Sequence, residues 1–555
     1  MRNKDVIRKL KIAVAFIHGK LWIILPGIIL FILWLPTYWY PSGRDQGVFS
    51  VVALDILDGK IPYRDVLDLK PPGIFYIYAI TFKILGYSMN SIRIMDLILV
   101  WVQLISALLL FPQKRRLFAG VISSAAMGIA CFHLLIYWWM TAPDYYITIP
   151  FLWGIIIYQK FSKQSANYLL AFICGIFLGI AFWIKFTALF LSIVLIYIFY
   201  KKKSSNLKEN LILTLKETTL MFLGYTCFSC LLLAYFYFNN ALKDLLETLF
   251  ILVPRYAGSM YTPNPDDLVL GHVNLTNIFN GTLNFAKMMP NLIIPSAVCA
   301  IFYIRKRKQP YGIFMLIFGA AFFSVLVQNR MFVSHLTVII MPLSILSAGG
   351  FEYIVETVKR GIDKRKWRFI RPFIVFLSFL IIISISYFSS AFGHRWGLLR
   401  AWRKHLSGEK QKQVDFYSYF GNPGTGDFSF IADLMVARYI QQKSSVNDEI
   451  FIWGFEPLIY ALSGRQHSTR FPMNYFIIAK VAREKWKNEF YRELHENPPE
   501  YFIVVRNDYM YYITGQKTDS RDLLLNKYKK LNKFINNNYK HVKQIEHFEI
   551  YEFGK

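Results

Sequence analysis

The stretch "GRDQGVFSVVALDILDGKIPYRDVLDLKPPG" (residues 43–73) follows directly on the first strongly apolar run of the chain. It is crowded with charged side chains: Arg44, Asp45, Asp55, Asp58, Arg64, Asp65, Asp68 and Lys70. Loops longer than about 12–15 residues more often have a function than serve as simple connections. This charged stretch is therefore the first candidate for a functional site.

The sequence around that stretch is apolar. Of the 555 residues, 55% are hydrophobic and 17% are aromatic. Runs of the roughly 17–25 residues that a membrane-spanning helix needs recur along the first seven-tenths of the chain. This pattern predicts an α-helical polytopic membrane protein. The net charge of +28 fits anionic lipid headgroups better than nucleic acid, because many basic residues cluster at the ends of apolar runs.

We predict eleven spanning helices, near residues 21–39, 94–111, 117–136, 144–160, 167–184, 186–200, 218–238, 289–304, 310–327, 335–356 and 372–390. With the N-terminus in the cytoplasm, the positive-inside rule is satisfied by the basic clusters at 112–116, 201–203, 305–308 and 359–371. Counting the apolar segment 71–86 as a further span would move two of these clusters outside. We therefore predict an interfacial or re-entrant helix there, within one external loop over residues 40–93.

The last part of the chain has a different composition. After the spans of the transmembrane domain (residues 1–390), residues 391–555 are more polar and contain short β-like runs at 449–454 and 500–505. Helical patterns at 430–443 and 475–496 alternate with these runs. The pattern predicts a small extracytoplasmic α/β domain.

The charged loop combines two kinds of chemistry at the predicted outer membrane surface. A carboxylate can take a proton from an attacking hydroxyl group. Lysine and arginine can hold the phosphate of a lipid carrier. Together they favour group transfer from a lipid phosphate.

Several motifs resemble one family. "RDQGVFSVVALDILDGKIPYRDVLDLKPPGIFYIYAI" (44–80) resembles the first periplasmic loop of bacterial GT-C glycosyltransferases of family 39. That family includes protein mannosyltransferase-like enzymes and the aminoarabinose transferase of lipid A. Weaker similarities follow in the expected order: "TAPDYYITIP" (141–150), "GIAFWIKFTALF" (179–190), "NRMFVSHLTVIIMPL" (329–343), "DEIFIWGFEPLIYALSGRQHSTRF" (448–471) and "NPPEYFIVV" (497–505).

The resemblance implies an inverting sugar transfer. The donor would be an undecaprenyl or other polyprenyl phosphate sugar, and the acceptor an extracytoplasmic glycolipid, cell-surface polysaccharide or protein. The transfer would be either metal-independent or assisted by a divalent cation, whose ligands are unknown. The protein would lie in the bacterial inner membrane, with its N-terminus in the cytoplasm and its C-terminal domain outside.

Three residues match the motifs of the family most directly. Asp45 corresponds to the proposed general base, and its alternative role is to cap a helix that begins near Gln46. Lys70 corresponds to the lysine expected at the lipid phosphate, and its alternative is an interfacial anchor. Asp144 corresponds to a second-loop aspartate that binds a sugar hydroxyl or a metal, and its alternative is a helix N-cap.

For the remaining candidates, the same resemblance implies a role in substrate binding. Lys185, a lone cation between two spans, would bind phosphate, since an unused charge there is costly. Arg330 would hold phosphate and His335 substrate, although a histidine at a helix start is often structural. Arg64 and Asp65 would contribute to the site or form a local ion pair. Arg44, beside Asp45, completes the set.

The sequence departs from the family pattern at three positions of the first loop. Gln46 stands where an acidic partner is common, and Leu69 stands where the aminoarabinose enzyme has an acid. Val48 occupies the place of a loop arginine of that enzyme. Metal binding at this loop and specificity for an aminosugar are therefore left open.

The sequence features also bear on three other functions. A transporter or flippase of lipid-linked glycans would need charges deep within the bundle, and the predicted spans have few. A non-catalytic receptor would not need a carboxylate-rich first loop. An O-antigen polymerase or ligase would be expected to have its largest external loop late in the chain.

Overall fold

The computed structural model describes residues 19–135, 140–162, 167–201, 206–258, 275–306, 310–328, 331–360, 362, 364–387, 402–403, 406, 416–421 and 428–554. The chain forms two compact units. The first contains residues 1–38, 93–229 and 274–396, and the second contains residues 39–92, 230–273 and 397–555. The predicted boundary at residue 390 remains a prediction.

Helices make up nearly all of the described chain up to Tyr387. The long ones are Gly19–Trp39, Met89–Leu109, Gln113–Leu134, Thr148–Phe161, Tyr168–Ile184, Phe186–Lys201, Leu207–Phe238, Leu275–Met288, Pro290–Lys306, Tyr311–Val327, Val333–Arg360 and Lys364–Tyr387. Two helices belong to the loop over residues 40–93 that is predicted to be external, Arg44–Leu57 and Gly73–Leu85, which we call the first and second loop helix. Shorter pieces are Pro143–Tyr146, Leu242–Leu246, Glu247–Leu252 and Val253–Gly258.

Each predicted span coincides with one of these helices for the residues that the structure describes. By length and composition, five described helices can cross a membrane: Gly19–Trp39, Met89–Leu109, Gln113–Leu134, Leu207–Phe238 and Val333–Arg360. A sixth crossing is possible if the pair Leu275–Met288 and Pro290–Tyr303, bent by 101°, forms one span. The other predicted spans lie on helices that do not pass this test by themselves, so the number eleven remains a prediction.

Glycine allows close helix packing within the first unit. A β-carbon at Gly175 would collide with the Met221 carbonyl, and one at Gly224 would collide with the Phe172 carbonyl. The helices Tyr168–Ile184 and Leu207–Phe238 therefore touch backbone to backbone. Small residues at such contacts are typical of helix pairs in membranes, where close packing replaces the hydrophobic effect between helices.

The two loop helices pack against each other in the second unit. The Phe49 ring lies 6.1 Å from that of Phe75 and 5.6 Å from that of Tyr78. The first loop helix begins where the Gly43 amide donates a hydrogen bond of 2.9 Å to the Gln46 side chain. The chain leaves this helix at Gly59, whose φ of +85° is readily adopted only by glycine.

The C-terminal region is an α/β structure built on one four-stranded sheet. Its strands are β1 (Ile450–Trp453), β2 (Tyr501–Val505), β3 (Tyr539–Ile545) and β4 (Phe548–Phe553), in the order β1-β2-β4-β3. β1 and β2 are parallel, and β4 is antiparallel to β2 and β3. Its helices are Phe430–Lys443, Leu458–Ser463, Tyr475–Ile478, Glu484–Glu496, Tyr511–Thr514, Ser520–Asn526 and Lys529–Asn538.

The structure confirms both predicted strands and the helix at 430–443. The predicted helix at 475–496 is instead two helices, with a break between Ile478 and Glu484. β3 and β4 were not predicted. β3 has exposed polar residues along most of its length, so it lacks the apolar run that marks β1 and β2.

Candidate active site

Asp45 is the exposed residue of an otherwise buried stretch. Residues 41–43 and 46–53 are buried, and Arg44 is half-buried. Asp45 lies in the first turn of the first loop helix, where the helix dipole favours a carboxylate. The capping role belongs to Gln46, so the alternative reading of Asp45 as the helix cap does not apply.

Arg44 points into the C-terminal region. Its Nε and Nη2 donate hydrogen bonds of 3.0 and 2.6 Å to Oε1 of Glu456. Its guanidinium also lies 5.4 Å from the Phe428 ring and 5.7 Å from the Phe455 ring. The substrate-binding role of Arg44 thus remains a prediction, while its ion pair with Glu456 is part of the fold.

Asp68 lies within electrostatic reach of both Asp45 and Lys70. The pKa of Asp68 is raised to about 6, chiefly by burial; Lys70 opposes the rise through its charge and its backbone amide, and Asp45 contributes to it. That amide donates to the Asp68 carboxylate at 2.9 Å. The Tyr63 hydroxyl donates to the Lys70 carbonyl at 2.7 Å, which fixes the backbone of this motif. The first loop therefore assembles two carboxyl groups and one cation.

Arg64 and Asp65 form the local ion pair that was one of the two predicted alternatives. The Arg64 Nε and Nη2 donate to the two Asp65 oxygens at 2.7 Å each. Arg64 also donates to the Asn239 carbonyl at 2.6 Å, which ties the loop to the end of the helix Leu207–Phe238. A further role of this pair at the substrate remains a prediction.

A second group of candidates lies in the first unit. The Lys185 Nζ lies 2.5 Å from the Asp144 carboxylate. Both residues are largely buried, and Lys185 sits at an extended break between the helices Tyr168–Ile184 and Phe186–Lys201. The short helix Pro143–Tyr146 packs against Val333–Leu336, which carries the half-buried His335. Arg330 lies outside the described residues.

Sequence reasoning missed a buried carboxyl cluster around Arg44. Burial and the neighbouring Glu456 raise the pKa of Asp433 well above its ordinary value, although Arg44 opposes them. Burial also raises the pKa of Asp508 to about 7, despite two hydrogen bonds from Ser520. Glu456 stands in the quoted motif at 448–471, but nothing in the local pattern indicates its distant partner.

The described residues contain no group of three or more His, Cys, Asp and Glu side chains placed to hold a metal ion. Asp68 already accepts the Lys70 amide, and Asp144 is engaged by Lys185. These carboxylates do not form a ready divalent-cation site in the described structure.

A family model covers part of the chain. Residues 69–223 match the model for dolichyl-phosphate-mannose-protein mannosyltransferase. The matched range includes Lys70, Asp144 and Lys185 and excludes Asp45. A comparison with curated protein sequences found no match.

Solved structures match over almost the whole length. ArnT from Cupriavidus metallidurans bound to undecaprenyl phosphate has a TM-score of 0.53 at 13% identity, over 96% of this chain and 98% of that chain. Its apo state has a TM-score of 0.52 at 12% identity, over 96% and 97%. The archaeal oligosaccharyltransferase AglB from Archaeoglobus fulgidus, in complex with an inhibitory peptide and a dolichol-phosphate, has a TM-score of 0.45 at 10% identity, over 88% of this chain and 69% of that chain.

The likeness to ArnT shows the fold, and the family model points the same way for the segment that it covers. Apolar helices long enough to cross a bilayer agree with both. The resemblance drawn from the sequence motifs is thus confirmed: the chain is a multi-pass membrane protein with the fold of the ArnT structures, and its residues 69–223 are similar to the mannosyltransferase family.

Proposed function

We propose that the chain is a membrane glycosyltransferase that moves a sugar from a polyprenyl-phosphate donor to an acceptor on the outer side of a bacterial inner membrane. The observation that carries the proposal is the similarity in fold, over 96% of the chain, to an ArnT structure that holds undecaprenyl phosphate. The family model over residues 69–223 supports it. The N-terminus would be cytoplasmic, and the C-terminal region would be extracytoplasmic.

Asp45 would act as the general base. Its exposed carboxylate, on a helix otherwise anchored by buried residues, is accessible to an acceptor hydroxyl. As the acceptor oxygen bonds to the anomeric carbon, its proton passes to Asp45. The bond from that carbon to the phosphate oxygen breaks, and its electron pair leaves with the polyprenyl phosphate. Attack from the face opposite the leaving phosphate inverts the anomeric centre.

Lys70 would bind the donor phosphate. Its cation stands on the same loop as Asp45, with Asp68 in electrostatic reach of both. A charge-assisted hydrogen bond from lysine stabilises the phosphate as it takes up the electron pair of the broken bond. The base and the phosphate-binding group are then supplied by a single short segment.

Asp144 and Lys185 are also proposed to bind the donor. Asp144 holds the Lys185 ammonium group in place, which fixes a cation for phosphate binding. Arg330 and His335 are proposed to bind phosphate and substrate, respectively. The acceptor would be a glycolipid, a cell-surface polysaccharide or a protein.

The test is transfer by the full-length protein. Membranes containing the chain are incubated with radiolabelled polyprenyl-phosphate sugars that differ in the sugar, and labelled acceptor is separated from labelled donor. We expect transfer from at least one donor, and none in membranes without the protein. Movement of intact donor across the bilayer with no transfer would instead support a flippase.

A further inference from the structure

One segment of the C-terminal region contacts the first loop helix on both sides of Asp45. Directly before Asp45, Arg44 donates two hydrogen bonds to the fully buried Glu456. Two residues after it, a β-carbon at Gly47 would come within 2.9 Å of the Leu458 amide nitrogen. The backbone that carries Asp45 is therefore seated against residues 456–458.

His467, which follows in the same part of the C-terminal region, holds the other end of this helix. The His467 Nε2 lies 2.6 Å from the Asp55 carboxylate, and its Nδ1 lies 2.6 Å from the Thr469 carbonyl. A carbonyl only accepts, so Nδ1 carries a hydrogen. Burial raises the pKa of Asp55, but the charges of His467 and Lys60 outweigh it, and the carboxylate stays ionised. His467 therefore joins the first loop helix, at Asp55, to the Thr469 carbonyl of the C-terminal region.

Contacts to the C-terminal region continue beyond the helix. The Arg470 guanidinium donates to the Tyr63 carbonyl at 3.1 Å, and the Arg470 carbonyl accepts from the Leu67 amide at 2.8 Å. Tyr63 has a φ of +70°, which is costly for a tyrosine and needs support from its surroundings. Since the Tyr63 hydroxyl holds the Lys70 carbonyl, the contact reaches the proposed phosphate-binding residue.

We propose that Glu456 and His467 are positioning residues for Asp45, and that residues 456–470 hold the first loop in its reactive arrangement. This inference rests on the proposed function. A general base must lie within hydrogen-bond reach of the proton that it takes. A displacement of about 1 Å can reduce the rate on the order of a hundredfold. The C-terminal region would thus be part of the catalytic machinery rather than only a surface for the acceptor.

The test compares Glu456→Gln and His467→Gln with the control Glu496→Gln in the full-length protein. Glu496 is exposed at the end of the helix Glu484–Glu496 of the same region. We expect kcat to fall about tenfold or more in both variants, with the donor KM nearly unchanged, because Glu456 and His467 contact the helix that carries the base, whereas Arg470 supports the segment of Lys70. Wild-type kcat in folded Glu456→Gln and His467→Gln proteins would overturn the inference.

A second measurement does not depend on transfer. The single variant Asp45→Cys and the double variant Asp45→Cys/Glu456→Gln are labelled with a maleimide. The peptide that contains the labelled cysteine is quantified by mass spectrometry over time. We expect the rate of labelling at residue 45 to differ about threefold or more between the two proteins, because the start of the first loop helix becomes more mobile without Glu456. An equal rate would contradict the positioning role even if no donor is found. If Glu456→Gln does not fold, Glu456→Asp replaces it in both measurements, with the same expectations.

Discussion

Gly47 lies so close to Leu458 that a β-carbon at residue 47 would come within 2.9 Å of the Leu458 amide nitrogen and 3.0 Å of its β-carbon. The contact joins the first loop helix to the C-terminal region within one compact unit. It lies two residues from Asp45, so the position of the proposed base depends on the absence of a side chain at residue 47.

Gly47→Ala is expected to force this contact apart. Because the nearest atom is a backbone nitrogen, we expect a loss of about 1–3 kcal/mol in unfolding free energy and a reduced rate of transfer. Thermal unfolding in detergent and a transfer assay measure the two effects. Gly319→Ala is the control, since a β-carbon there meets nothing within 4 Å. Wild-type stability and activity in Gly47→Ala would contradict the close approach.

The ion pair of Asp144 and Lys185 predicts a separation of stability from activity. Lys185→Gln leaves a buried carboxylate without its cation, which we expect to cost about 3 kcal/mol of unfolding free energy. In the double variant Asp144→Asn/Lys185→Gln most of that stability should return, while transfer stays low because the phosphate-binding cation is missing. A double variant that transfers sugar at the wild-type rate would make the pair purely structural.

Lys70 is expected to act on donor binding. Lys70→Gln removes a charge-assisted hydrogen bond of about 1.5–3 kcal/mol, so the donor KM should rise about tenfold or more. Steady-state kinetics at varied donor concentration measure it. Lys83→Gln, at an exposed site on the second loop helix, should leave the KM unchanged. If Lys70→Gln reduces membrane insertion but not donor affinity, the residue is only an interfacial anchor.

Two buried groups of the C-terminal region predict opposite pH dependences. Burial raises the pKa of Asp508 from 3.8 to about 7. Between these values the folded state holds the proton that the unfolded state has lost, so this contribution to stability falls as the pH rises. Burial and Arg44 lower the pKa of His547 from 6.5 to about 4. Between these values the unfolded state holds the extra proton, so this contribution rises with pH.

Single variants should reveal how each of these two groups contributes to the pH dependence of stability. Relative to wild type, Asp508→Asn should gain stability as the pH is raised from about 4 to about 7, and His547→Gln should lose it from about 4 to about 6.5. Apparent melting temperatures of the full-length protein in detergent, recorded across this range, measure both differences. A constant offset from wild type at every pH would show that the group titrates alike in the folded and unfolded states.

Hydrophobicity identified the helices because membrane spans must satisfy their own backbone hydrogen bonds over a fixed length. The charged first loop could be identified because its charged side chains contrast with the apolar sequence on either side of it. The strand β3 escaped prediction because its exposed polar residues hide the period of a strand.

The partners of the candidate residues could not be read from local sequence. Arg44 and Glu456 are 412 positions apart, and Asp144 and Lys185 are 41 positions apart. Helical spacing predicts contacts between residues three or four positions apart and cannot predict pairs at these separations. The sequence motifs indicated which loop to inspect, whereas the buried carboxyl groups Asp433 and Asp508 came only from the folded arrangement.

The central claim is that Asp45 takes the proton of the acceptor. The most direct measurement is sugar transfer from radiolabelled polyprenyl-phosphate donors by membranes containing wild type or Asp45→Asn, with donor binding measured in parallel. We expect transfer by wild type to collapse in Asp45→Asn while donor binding is retained, because asparagine keeps the shape of the side chain but cannot accept the proton. Equal transfer by both proteins would remove Asp45 from the mechanism.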